Sequence, residues 1–195
     1  MSSYFSINQH FSRGAMWSKY DLLFWAVLAF NFAVDDAVVF KFSNFQCKSY
    51  NESWFVFNYY RLKAVSRDRV LLNMNGTILH PAHNIQVHAK VYKKANGFKP
   101  WLLETTVDMC RFINKRYDPF LKIVYNIFKE FSNINHTCPY VGHQVIKDLY
   151  VNPELLILPI PSGEYLLTGR WNFDKKLIIG INVTFIFMED LLKRT

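Results

Sequence analysis

The side chains of this chain that are able to do chemistry are few, and their spacing is poor for catalysis or metal binding. His80 and His83 bracket the turn "HPAH", and His88 follows nearby. Three imidazoles so close could gather around a zinc ion. Pro81 and the turn-forming composition favour a surface loop instead. Glu104, Thr106 and Asp108 alternate along one side of an extended run, where carboxylates are ordinarily just solvated. No Gly-x-Ser-x-Gly elbow presents a nucleophile, and Gly76 and Gly97 are too isolated to cradle a phosphate. The expectation is a protein that is not an enzyme, with no catalytic residue, no metal site and no cofactor.

The cysteines say more. There are 3: Cys47, Cys110 and Cys138. An odd count in an exported chain leaves one thiol free or paired between molecules. Cys110 ends a strand-like run, and Cys138 stands in "NHTCPY", just after a helical pattern. A bridge between them would tie the two ends of that insert together, closing 28 residues. On the chain-entropy account this is worth about 3.5 kcal/mol. Cys47 would then be the free or intermolecular thiol. Asn51, Asn75, Asn135 and Asn182 each begin an Asn-x-Ser/Thr triplet, a pattern of N-glycosylation.

Export is also suggested by the N-terminus. Residues 22–34, "LLFWAVLAFNFAV", form an apolar run of 13 residues behind Lys19. A membrane-spanning helix needs roughly 20, so the run suits the core of a signal peptide over residues 1–34, with Met16 as an alternative start. Residues 35–190 form one domain, and a chain of 195 residues, 51% apolar and 19% charged, can bury a full core. The net charge of +8 is scattered, with no basic run of five. This pattern excludes a nucleic-acid footprint and leaves attraction to an acidic partner or anionic lipid open. No membrane span is expected after signal cleavage; the localisation expected is extracellular.

The elements that would position these residues are mostly strands. Residues 37–47 and 53–65 are β-branched and aromatic runs. Val70, Leu72, Met74 and Ile78 share one face, with Asn75 on the other. Ile85, Val87, Ala89 and Val91 alternate with Gln86, His88 and Lys90. Trp101, Leu103, Thr105 and Val107 oppose Glu104, Thr106 and Asp108. Residues 143–151 and 158–173 follow. In residues 176–188, Leu177, Ile179, Ile181, Val183, Phe185 and Phe187 share a face, with Asn182 opposite. Such alternation suits antiparallel sheets with one wet face. Residues 118–131 differ: Asp118 caps, Pro119 suits a first turn, and apolar residues recur at helical spacing. This helix is either a lid over an apolar mouth or an insert docked on the sheets; the second is the simpler reading. The fold class is all-β, an antiparallel β-sandwich of seven or eight strands with one helical insert and an N-terminal signal helix.

The blocks "FSNFQC", "RLKAVSRD", "KKANGFKPWLLETTVDMCRFI", "IFKEFSNINHTCPY" and "LPIPSGEYLL" resemble, in this order, a large insect family of small secreted proteins described as a domain of unknown function. That family is similar to the ML lipid-recognition superfamily and to insect chemosensory CheB-like proteins. The likeness spans roughly residues 37–188 and is most specific from Asn96 to Tyr140. It implies an immunoglobulin-like sandwich whose sheets part to hold an acyl chain or sterol, without catalysis. Many members carry a cysteine where this chain has Tyr60, a natural partner for Cys47; here that bridge cannot form.

Two functions remain in view. One is a secreted, non-enzymatic carrier of a lipid or other hydrophobic ligand held between the sheets, with a chemosensory role implied by the resemblance. Its candidate lining is Val70, Leu72, Met74, Val87, Val91, Trp101, Leu103, Trp171, Ile179, Ile181 and Phe185. The other is an extracellular module with a closed core that recognises another protein, such as a cell-surface receptor. Aromatic side chains fill a core as readily as they line a cavity.

Overall fold

A computed structural model of the chain describes residues 38–67, 69–152 and 160–188. The signal peptide expected over residues 1–34, and the outer limits of the 35–190 domain, lie outside the described residues.

Eight strands form two antiparallel sheets: β1 (Val39–Ser49), β2 (Phe55–Ala64), β3 (Val70–Ala82), β4 (Ile85–Ala95), β5 (Gly97–Asp108), β6 (Tyr140–Leu149), β7 (Gly163–Phe173) and β8 (Lys176–Met188). The five-stranded sheet runs β1-β8-β7-β4-β5 and the three-stranded sheet β2-β3-β6. The pleat explains the inward column of β4: Ile85, Val87, Ala89 and Val91 are all buried, while Gln86, His88 and Lys90 lie on the wetter face.

Bulges correct the simple alternation in two strands. In β1 the register slips between Phe42 and Asn44, so Phe40 and Phe42 point inward before the slip and Phe45 after it. In β8 the partners of Trp171 and Asn172 are Ile179 and Leu177, which leaves Ile178 as the extra residue. Ile178 is buried and Leu177 is 38% exposed, so Leu177 does not share the inward face expected for it.

Two helices join β5 to β6. The first, α1 (Met109–Lys115), stands where a strand was expected to run on to Cys110. Asp108 stops the strand by accepting a hydrogen bond from the Arg111 amide at 3.0 Å. The second, α2 (Pro119–Phe128), opens on Asp118, which accepts from the Leu121 amide at 2.7 Å and from the Thr105 hydroxyl at 2.6 Å. One carboxylate thus caps the helix and ties it to β5. A short 3-10 turn (Lys129–Phe131) follows. Asn133 then meets β6: its Oδ1 accepts from the Val145 amide at 2.8 Å and its Nδ2 donates to the His143 carbonyl at 2.7 Å. These bonds serve backbone groups on the open edge of the smaller sheet.

Cys110 and Cys138 form a disulfide across the insert, and Cys47 is free. "NHTCPY" is therefore the return of the chain from the helices to β6. Tyr140, buried behind it, donates a hydrogen bond to the His136 carbonyl.

Candidate functional site

The two sheets do not close on one another along their whole length. At the disulfide end, Phe55, Phe112, Tyr125 and Tyr140 are almost wholly buried and fill the interior with rings. At the other end the sheets enclose a cavity of about 210 Å³. Every side chain lining it is aliphatic or aromatic except the thioether of Met74. Tyr165, one of them, has no free hydroxyl, since it donates to the Pro161 carbonyl at 2.5 Å.

The larger sheet contributes Val91, Trp101, Leu103, Trp171, Ile181 and Phe185; β3 contributes Leu72 and Met74. All eight are among the lining residues expected from the sequence. Three other expected residues are not part of this lining. Val70 is buried at the start of β3, where that strand pairs with the end of β2. Val87 faces inward from β4 but packs in the ring-filled end. Ile179 lies on a second, smaller void of about 40 Å³, shared with Phe55, Tyr140 and Gln144. For Val87 and Ile179 the reason is that alternation reports which face is inward, not where along that face the filling rings stop; Val70 belongs to the core cluster at the cavity end.

The sequence also missed part of the wall. Phe120, Ile123, Val124, Ile127 and Phe128 line the cavity from α2, and Phe40, Phe42 and Phe45 line it from β1. The helix is therefore a wall of the cavity, not only an insert docked on the outside. Its sequence signal was present in the apolar stripe, whose width alone does not tell a docked face from a lining face. Trp101, Leu103, Phe120, Ile123 and Ile160 are among the lining residues that keep partial solvent exposure.

The remaining polar groups gather elsewhere. His80 and His83 are exposed, and His80 packs edge-on against Trp54 at 5.3 Å. His88 lies 2.9 Å from Glu104, which also pairs with Lys90 at 2.7 Å. Hydrogen bonds from Lys90 and then His88 hold the Glu104 carboxyl below its usual range. Among the described residues no three His, Cys, Asp or Glu come together as a metal site. No helix among them is long and apolar enough to cross a membrane.

Of the four glycosylation triplets, Asn135 is exposed and Asn51 half-buried. Asn75 and Asn182 are half-buried on their strands and already hydrogen-bonded: Asn75 Oδ1 accepts from Asn58 at 2.9 Å and Asn182 Oδ1 from Arg170 at 3.0 Å. Cys47 is half-buried in a cleft that Tyr60 also lines. Burial pushes its thiol up to about 12.

The only buried side-chain polar atom without a hydrogen-bond partner among the described residues is Gln144 Oε1.

Residues 87–167 match a family described as a protein of unknown function (DUF1091). No curated protein matches the chain in sequence. Among solved structures, the chain is similar to the Niemann-Pick type C2 protein from Japanese carpenter ant, at 15% identity and a TM-score of 0.30, over 77% of this chain and 93% of that one. The block from Asn96 to Tyr140, the most specific part of the sequence resemblance, lies wholly inside the family match, and the resemblance to a family of unknown function stands on it.

Proposed function

We propose that this protein is an exported, non-enzymatic carrier of a lipid or other small hydrophobic ligand, which sits between the two sheets. The observation that supports this most directly is the cavity of about 210 Å³ with its wholly apolar lining. It is larger than the ~150 Å³ engineered apolar cavity that stays dry and takes up benzene. It is smaller than the ~300–1,000 Å³ clefts of drug-sized ligands. A single slender chain suits it better than a bulky ring system. Each methylene moved from water into such a site gains about 0.8 kcal/mol, so polar anchors are not needed for affinity.

The disulfide between Cys110 and Cys138 supports an oxidising, extracellular setting. Presentation of the ligand to a receptor, in a chemosensory role, is supported by the family resemblance. The closed recognition module is less well supported, because it requires a filled core.

Native mass spectrometry of the folded, secreted protein, followed by solvent extraction, tests the proposal. A bound lipid or hydrocarbon is expected. Absence of any bound lipid, together with failure of delipidated protein to take up the apolar probe N-phenyl-1-naphthylamine, would overturn it.

A further inference from the structure

The wholly apolar lining leaves open what the polar end of a ligand meets, and the rim beside Trp101 answers it. On β4 the register with β7 is unbroken from Ile85 to Lys93. The inward column of that strand therefore continues past Val91 to Lys93, which lies opposite the wholly buried Tyr165. On β5 the register with β4 slips between Glu104 and Pro100, a stretch that holds Leu103 and Trp101, and pairing resumes beyond it at Pro100 and Lys99. Lys93 and Lys99 are direct cross-strand partners, so both stems leave the same face of the sheet.

Two ammonium groups directly opposite one another are destabilising. They are also unpaired: among the described residues neither Lys93 nor Lys99 forms an ion pair. The lysines that point the other way are treated differently. Lys90 pairs with Glu104 at 2.7 Å, and Lys94 pairs with Glu164 at 2.7 Å. The outward lysines of this hairpin are neutralised and the inward ones are not.

Lys93 is also held in place. Its ammonium lies 5.0 Å from the Trp101 ring centroid and 5.7 Å from that of Tyr165, and both rings line the cavity. Residue 163 is glycine, and a Cβ there would come within 3.0 Å of the Lys93 Cε. The stem thus passes close over Gly163.

We infer that Lys93 and Lys99 form a clamp at the rim of the cavity for an anionic head group, and that the ligand is a single-chain amphiphile with a carboxylate head and its tail inside. This deepens the carrier reading and rests on it. A carboxylate between the two ammonium groups relieves their repulsion and receives charge-assisted hydrogen bonds. A neutral alcohol of the same chain length gains neither.

Calorimetric titration of delipidated protein with decanoate and with decanol, at low and high salt, tests this. Decanoate is expected to bind about tenfold more tightly than decanol, the scale of one hydrogen bond to a charged group. That preference shrinks as salt rises. Lys93→Met and Lys99→Met keep an apolar stem and remove the charge. Each is expected to lower the preference severalfold, and the double variant to abolish it, with decanol affinity unchanged and thermal stability not lowered, since the repulsion between the two charges is removed. Equal binding of both ligands by the wild-type protein overturns the clamp and leaves the carrier standing. A parallel loss of decanol affinity in the variants does so too, because it shows the lysines shaping the cavity. Failure of both ligands to bind overturns the carrier reading, and the clamp with it.

Discussion

An unfilled cavity makes an unusual demand on mutation: adding atoms to the core should stabilise the protein while weakening its binding. Val91 and Val183 both line the cavity, from β4 and β8. Leu167 on β7 separates them in the sheet, pairing with each. Two strand spacings of about 4.8 Å lie between them, but they share Leu167 and one cavity, so the sum of their single effects is an upper figure for the pair. Val91→Ile and Val183→Ile each add one methylene without losing β-branching. At about 24 cal/mol per Å³, leaving the 210 Å³ unfilled forgoes on the order of 5 kcal/mol. Each added methylene should recover about 0.8 kcal/mol of this, and the pair at most about 1.6 kcal/mol. For a domain of this size the double variant should melt higher, by at most roughly 3–6 °C. The protein must first be stripped of lipid, since a ligand at a hundred times its Kd alone adds about 2.7 kcal/mol. The assay is chemical and thermal denaturation of delipidated protein, with N-phenyl-1-naphthylamine binding measured alongside. Overpacking of a core that is already full costs about 1–3 kcal/mol. A loss of that size, with probe binding unchanged, would refute the reasoning.

Further consequences can be measured directly. Replacing Cys110 and Cys138 together by Ser should cost about 3.5 kcal/mol, the entropy of closing 28 residues, read from urea unfolding. Asp118→Ala removes the cap of α2 and its tie to Thr105; a loss of about 1 kcal/mol is expected, with faster amide exchange in α2 than in β7 or β8. Equal exchange in both would show that the cap does not hold this wall. Cys47, with its thiol raised to about 12 by burial, should react with iodoacetamide far more slowly at pH 8 than a free cysteine of pKa about 8.5, and the rate should climb as pH rises toward 12. The stability that comes from burying the neutral thiol is fully present below 9.0 and is lost as pH rises toward 12, so Cys47→Ala should flatten that alkaline slope. Rapid alkylation at pH 8 would show the thiol exposed.

Much of this architecture could be read from side-chain order alone. Period-two alternation located the strands because a pleated chain with one wet face has no other economical pattern. Asp118-Pro119 announced α2 because a carboxylate and a fixed φ suit a helix start whatever surrounds them. The pairing of Cys110 with Cys138 was accessible because it brackets one insert. The bulges at Ser43 and Ile178 were not accessible: a register slip depends on the partner strand, and it placed Leu177 outside the core. Nor was α1, whose seven residues are too few to show a helical period.

For the site, the divide is sharper. Composition and order determined that apolar side chains from several strands would face a common interior, since water expels them wherever the chain permits. They could not determine whether that interior is solid. The answer depends on how far two sheets are held apart, and on where Phe112 and Tyr125 stop filling the space between them. It depends as well on α2 standing as a wall, tied by Asp118 to β5. The unpaired state of Lys93 and Lys99 belongs to the same class, because it is set by cross-strand register and by the carboxylates that register places out of reach. Away from the bulges, local sequence sets which face a residue takes; only tertiary packing decides which volumes stay empty and which charges stay alone, because both are properties of surfaces brought together from distant parts of the chain.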